Sequence, residues 1–344
     1  MTDDLLRATA SRLFGQYVEP PVLSAAERGE YADAAWNAIE EAGLTAALLP
    51  EEAGGYGVAV ADALGLVRLA GEHALPLPLP ETLLASWLLG RAGIPVPQGP
   101  LTFACARNLR RSGSGRFEGT LERVPWGRRA AGAAVLVPAE PPQLALIFRS
   151  AWNVSPGENL AREPRDDLQL TRAPEAFVPA PIEETGLRAA GAVIRCLQIA
   201  GALTRIVEVT TQYAQERVQF GRRIGKFQAV QQNLAVMAGQ AAAASAAADL
   251  AVEAFADGLR RLPIAAAKAR AGEAAGIAAA MAHQIHGAIG FTYEHRLHFF
   301  TKRLWSWRDE YGNEAEWNRL LGRHLAHAGA SRLWAEIISL GAAE

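Results

Sequence analysis

The sequence predicts a mostly α-helical protein with a small β unit in its middle. Three observations carry this. Long helix-forming runs with start and stop residues fill roughly residues 1–95 and again 183–344. Short apolar runs between turn residues crowd 96–182. From Phe227 the apolar residues Val230, Leu234, Met237, Ala241 and Ala244 follow in steps of 3 and 4, the period of a helix seam. The 344 residues thus divide into a helical segment, 1–95, a short β segment, 96–182, and a helical bundle, 183–344. That is enough chain for two or three packed units.

Each element has a local reason. In "SAAERGEYADAAWNAIEEAGL" Ser24 can cap a helix and Gly43 can stop it. "LLPEEAGGYGVAV" suspends helix through its proline and paired glycines, and "ADALGLVRLAGEHA" resumes it. The prolines of "LPLPLPETLLASWLLGRAG" set the entry to a helix ending at Gly93. "LTFACA", "RFEGTLERVPW", "AAVLVPA", "QLALIF" and "AFVPA" have the length of strands. Then "ETGLRAAGAVIRCLQIAGALTRIVEVTTQYAQERVQF" runs without proline as one long helix. The alanine-rich seam helix follows, a third helix runs from about Pro263 to His286, and two more flank "WSWRDEYGNE".

Composition narrows the function classes. Half the residues are hydrophobic and 20% are charged, an ordinary globular balance. The formal net charge of −2, from 34 basic and 36 acidic residues, offers no bulk field for nucleic acid and no polybasic tail for an anionic membrane. No run of strongly apolar residues long enough for a bilayer stands out, so membrane insertion is not expected. Two distant cysteines, Cys105 and Cys196, give no disulfide framework, and the expected setting is the cytoplasm. The opening "MTDDLLRATASRLF" lacks the apolar core of a signal peptide.

Three stretches could carry chemistry. "QERVQFGRRIGKFQAVQQNLAVMA" puts Arg217, Arg222, Arg223 and Lys226 at a glycine-containing turn before a helix start. Guanidinium forks and a helix N-terminus suit a phosphate, and a solvated basic corner is the alternative. "HQIHGAIGFTYEH" breaks a helix at Gly287 and Gly290. Its His283, His286 and His295 lack the spacing of a metal motif, so capping or surface roles are expected for them and no metal. "RLWSWRDEYGNEAEW" sets Asp309, Glu310, Glu314 and Glu316 beside aromatics and a glycine. Such a place can make a base, though most such carboxylates are surface charges, and Trp305 and Trp307 are more simply packing.

Together, "ERVQFGRRIGKFQAVQQNLAVMA", "AKARAGEAA" and "HQIHGAIGFTYEHRLHFFTKR" resemble the C-terminal half of the acyl-CoA dehydrogenase family. "AIEEAGLTAALLPEEAGGYGVAVADALGLVRLAGE" is similar to that family's opening domain. The resemblance covers most of the chain in the same order. It implies an N-terminal helical domain, a reduced β-barrel and a C-terminal four-helix bundle. It implies FAD at a subunit interface, an acyl-CoA substrate, an electron-transfer flavoprotein or similar acceptor, and a homo-oligomer, dimer or tetramer, or a hetero-oligomer. It assigns flavin contacts to Arg217, Phe220 and Gln228, and to Gln284, Gly287 and Ala288. Arg217 would meet the pyrophosphate of a neighbouring subunit's FAD. The implied chemistry is α,β-desaturation, in which a carboxylate takes the α-proton and flavin N5 accepts the β-hydride.

Two departures from the family pattern stand out. The T-E-P-x-x-G-S-D motif of the middle domain is absent, and "FEGTLERVPWGRRAAGAAVLVPA" resembles only the later G-x-x-x-x-V-P part. The family's Tyr-Glu-Gly-Thr base motif becomes "DEYGN", and the other family place for a base holds Ile194. Glu310 is therefore the expected base and Asp309 the second choice. The alternatives are a cofactor-sharing subunit of a heteromeric dehydrogenase, without a base of its own, and a helical scaffold that has lost the flavin.

Overall fold

The computed structural model describes residues 3–107, 110–111, 117–172 and 177–340. The chain forms two compact units, one from 1–66 with 76–188 and one from 67–75 with 189–344.

In the first unit, helices α1 (Asp3–Tyr17), α2 (Pro20–Glu27), α3 (Asp33–Glu41) and α5 (Leu79–Arg91), with the start of α4 (Val60–Glu72), precede the strands. The helix expected to begin at Ser24 is two helices. Pro20 and Pro21 start α2 earlier, and Gly29, with φ +90°, ends it. Ser24 lies inside α2, and its hydroxyl donates to the Pro20 carbonyl at 3.0 Å, so it caps nothing. Gly43 (φ +72°) and Gly93 (φ +68°) do end the runs they were expected to end.

The strands form two main sheets. One has the order β1 (Leu101–Cys105), β5 (Gly132–Val137), β6 (Gln143–Phe148), β9 (Val178–Pro179), with the β1–β5 pair parallel and the others antiparallel. The second is antiparallel, β4 (Thr120–Pro125), β8 (Arg165–Leu170), β7 (Trp152–Ser155). A two-residue ladder joins β2 (Arg110–Arg111) to β3 (Phe117–Glu118). Leu121, Val135, Ile147, Trp152 and Leu168 close the β core. "WNVS" and "RDDLQL", now β7 and β8, were not expected as strands, because β8 carries two aspartates. Asp166 is fully buried and accepts from the Arg128 guanidinium and from the Arg128 and Gly157 amides. A carboxylate so satisfied can occupy a strand interior.

The second unit is built on α6 (Glu184–Glu216), α7 (Gln228–Ala256) and α8 (Arg261–His286), followed by α9 (Leu297–Asp309), α10 (Glu314–Ala328) and α11 (Leu333–Ser339). Residues 191–203 of α6 are all buried. The end of α4 crosses α6 at backbone contact. A Cβ at Gly71 would lie 2.1 Å from the Gln198 carbonyl oxygen, and one at Gly201 would lie 1.9 Å from that of Arg68. The α7 seam holds in its second half: Met237, Ala241 and Ala244 are buried and Ala248, Ala251 and Phe255 continue it, whereas Phe227, Val230 and Leu234 are only partly buried.

Contrary to the reading of the bare sequence, α6 and α7 are both apolar and long enough to cross a bilayer by length and composition. The apolar window of α6 is 83% buried inside the protein, whereas that of α7 is 33% buried. Alanine supplies the apolarity of α7, which leaves a smooth, small-residue face outside the unit.

Candidate functional site

The positions expected to meet a flavin lie at one end of the second unit. Helix α6 stops at Glu216, and a tight hairpin pairs β10 (Val218–Gln219) with β11 (Arg222–Arg223). Phe220 (φ +53°) and Gly221 (φ +77°) make its turn, and the Phe220 ring is 91% exposed. Arg217 is exposed, and its amide still bonds the Tyr213 carbonyl at 2.9 Å. Among the described residues Arg217, Arg223 and Lys226 have no carboxylate partner, and the Arg222 guanidinium stacks over Phe227 at 4.1 Å. Gln228 opens α7, whose N-cap residue Phe227 makes no side-chain cap. Four exposed cations thus stand before a 29-residue helix whose first amides no side chain caps. That donor set fits a pyrophosphate.

Gln284, Gly287 and Ala288 are exposed at the end of α8. Gly287, at φ +65°, breaks the helix, and nothing lies within 4 Å of where its Cβ would be. Tyr213 ties this group to the hairpin. Its hydroxyl donates to the His286 carbonyl at 3.3 Å and its ring stacks on His286 at 4.4 Å.

Two of the histidines between them are core side chains and not surface groups. His283 and His286 are buried, 6% and 4% exposed. His283 stacks between Phe291 and Trp305 and bonds Thr301 Oγ1 at 2.8 Å. Nδ1 of His286 donates to the Ala282 carbonyl. Burial pushes His286 down to about 4 and lowers His283 and His295 as well. His295 does cap, its Nδ1 accepting the Leu297 amide of α9 at 3.2 Å.

Glu310 lies elsewhere, beside Arg195 of α6. It ends α9 in extended backbone (φ −73°, ψ 139°), and its carboxylate is 14% exposed. Its Oε2 accepts from Arg195 Nε at 2.7 Å. Arg195 is 1% exposed, also bonds Gln198, and lies 5.6 Å from the Tyr311 ring centroid. Tyr311 packs on Gly191, where a Cβ would come within 2.4 Å of the ring. Asp309, the second choice, is exposed. Trp307 is core, 1% exposed. From the sequence neither Arg195 nor Lys268 was expected at this turn. A single arginine in the buried "VIRCLQIAG", and a lysine in the alanine-rich "PIAAAKARAGEAAG", were the available signs, since buried cations need partners.

The geometry therefore divides the expected residues into a flavin-type group near Tyr213 and a base-type group near Arg195. The two anchors are 18 residues apart on one helix (213 − 195), about 27 Å at helical rise.

Known proteins share this chain's sequence and fold. The model of the acyl-CoA dehydrogenase N-terminal domain matches residues 2–93, and that of the C-terminal domain matches 189–308. "Acyl-CoA dehydrogenase IpdE2" of Mycobacterium tuberculosis (strain ATCC 25618 / H37Rv) is 33% identical over 307 residues, 87% of this chain and 89% of the relative. The chain belongs to the acyl-CoA dehydrogenase family. The acyl-CoA dehydrogenase of the same name in Mycolicibacterium smegmatis (strain ATCC 700084 / mc(2)155) is 28% identical over 87% of this chain and 91% of that one. Among solved structures, the "Tcur3481-Tcur3483 steroid ACAD G363A variant" superposes with a TM-score of 0.83 at 24% identity, covering 95% of this chain and 98% of that one. The ChsE4-ChsE5 complex from Mycobacterium tuberculosis gives 0.83 at 22%, again over 95% and 98%. These two likenesses show the acyl-CoA dehydrogenase fold. As a member of this family the chain is an oxidoreductase acting on CH–CH groups of acyl-CoA thioesters.

Proposed function

We propose that the protein binds FAD and desaturates a fatty or steroid acyl-CoA between Cα and Cβ, with Glu310 as the base. The observation that carries this is the pair of separated groups anchored at Tyr213 and Arg195 of α6. Arg217, Gln228 and the uncapped start of α7 form an anion-binding end, with Phe220, Gln284, Gly287 and Ala288 around it. Bound FAD would supply the acceptor for the hydride that leaves Cβ. Glu310 takes the α-proton, a task that needs a carboxylate shielded from water, and its half-buried place on Arg195 provides that. The Arg195 guanidinium directs the carboxylate and must yield one bond when the substrate enters. The electrons pass on to an electron-transfer flavoprotein or similar acceptor.

Separation by about 27 Å along α6 favours an oligomer in which the flavin end of one copy serves the base of another. The open alanine face of α7 is the surface we assign to that contact, in a dimer or tetramer. A cytoplasmic setting is supported by the two cysteines, neither in a disulfide.

A second reading is favoured by the Arg195–Glu310 ion pair. If the guanidinium never releases the carboxylate, this chain is the cofactor-sharing half of a hetero-oligomer and the partner brings the base.

The test is anaerobic bleaching of FAD-loaded protein by a panel of acyl-CoAs. Wild type should bleach, and Glu310→Gln should bind thioester yet stay oxidised. A colourless protein that cannot be loaded with FAD would sink the first reading. A Glu310→Gln variant that bleaches at the normal rate would move the base elsewhere.

A further inference from the structure

Lys268, on α8, is 1% exposed, and the proposed chemistry gives it no part. Its Nζ donates to the Arg308 carbonyl at 2.6 Å and to the Gly312 carbonyl at 2.8 Å. These two carbonyls bracket Asp309, Glu310 and Tyr311. Burial pushes the lysine down to about 8, opposed in part by Cys196, Glu314, Glu310 and Asp309. Among the described residues the ammonium is thus, with Arg195, one of two buried cations at the turn.

The turn needs such an anchor. Tyr311 sits at φ +57° and Gly312 at φ +106°, and a left-handed tyrosine costs about 1 kcal/mol or more. Two buried carbonyl oxygens facing one point repel each other unless a shared donor stands between them. The rest of the seat is on the same face of α8. Lys268, Gly272 and Gly276 are each four residues apart, so they stack in one row. A Cβ at Gly272 would lie 2.2 Å from Glu314 Oε1, and one at Gly276 would lie 2.9 Å from Arg308 Nη1. Arg308 and Glu314 are themselves joined by two bonds, 2.9 and 3.1 Å. Trp317 Nε1 gives the Gly312 carbonyl a further donor at 3.1 Å.

We propose that Lys268 is a positioning residue for Glu310. By drawing the Arg308 and Gly312 carbonyls onto one buried ammonium, it fixes the backbone from which the Glu310 carboxylate is presented. Arg195 steers the side chain from α6, and Lys268 sets the main chain from α8. This rests on the reading of Glu310 as base.

The test uses FAD-loaded protein and the acyl-CoA of the panel that bleaches it fastest. Lys268→Met should slow bleaching about 10- to 100-fold while the thioester dissociation constant stays within about threefold. Lys268→Gln, which keeps an N–H donor, should recover part of the rate. An unaltered rate in Lys268→Met when Glu310→Gln stays oxidised would overturn the proposal. A normal rate in Glu310→Gln sinks the base reading instead. A second arm needs no chemistry: amide exchange over residues 310–313 should rise at least about tenfold in Lys268→Met while α6 keeps its protection. Unchanged exchange there overturns the positioning role, as does failure of both lysine variants to fold, which would make Lys268 a core residue.

Discussion

At the scale of the residue, the site turns on how few atoms hold Glu310. Arg195 is buried with it, and removing one member of a buried pair leaves an unsatisfied charge, at a cost of about 3–5 kcal/mol when burial is complete. Glu310 keeps 14% exposure. We expect Arg195→Met to lower the urea-unfolding free energy by about 2–4 kcal/mol, and Glu310→Gln in the same chain to restore part of that loss. Gly191 gives a second residue-level prediction. It is the space in which the Tyr311 ring lies, so Gly191→Ala should destabilise by about 1–3 kcal/mol. In a Tyr311→Gly background the same alanine should cost almost nothing, and equal costs in both backgrounds would refute the contact. Glu310 was singled out in the sequence as the carboxylate nearest the place of a base motif from which "DEYGN" departs. Arg195 was not legible as its partner, because the two are 115 residues apart and only packing brings them together.

At the scale of the element, the end of α8 was half legible. Gly287 marked the helix break, and the break is there. His295 caps α9 as expected, but His283 and His286 were misplaced, because a sequence shows an imidazole without showing the aromatic stack that buries it. Their burial has a consequence for pH. His286 has a folded-state pKa of about 4 against 6.5 unfolded, so the fold favours the neutral ring. The unfolded chain binds more protons between those values, so stability is complete above about 6.5 and falls as pH drops toward 4. His286 contributes to that fall, and the lowered His283 and His295 add to it. No carboxylate is among the groups acting on these rings, whereas Arg296 is a cation beside His295. Thermal melts at pH 7 and pH 4.5 should differ markedly in wild type, and His286→Phe should narrow the gap. A melting temperature flat from pH 7 to 4.5 would show that the cluster is hydrated.

At the scale of the whole molecule, the order of helices, strands and helices was legible because periodicity and turn residues are local. The polar strands β7 and β8 were not, since the buried Asp166 is satisfied by Arg128 from 38 residues away. Nor was the distance between the two halves of the site: the long run of α6 was expected, but not that Glu310 packs beside its Arg195. That distance yields the prediction that separates the proposed arrangements. If flavin end and base belong to one active site within a chain, Arg217→Ala and Glu310→Gln are each inactive and remain so when mixed. If they belong to sites shared between copies, a mixed dimer contains one site with both an intact Arg217 and an intact Glu310. Random association of equal amounts then restores about a quarter of the wild-type sites. Co-refolding the two dead variants and measuring acyl-CoA-dependent bleaching checks this directly. Recovery near a quarter supports sharing through the α7 face. The absence of recovery, with mixed oligomers present by mass spectrometry, would return both groups to one chain and make α6 bend or the flavin reach farther than its helix allows.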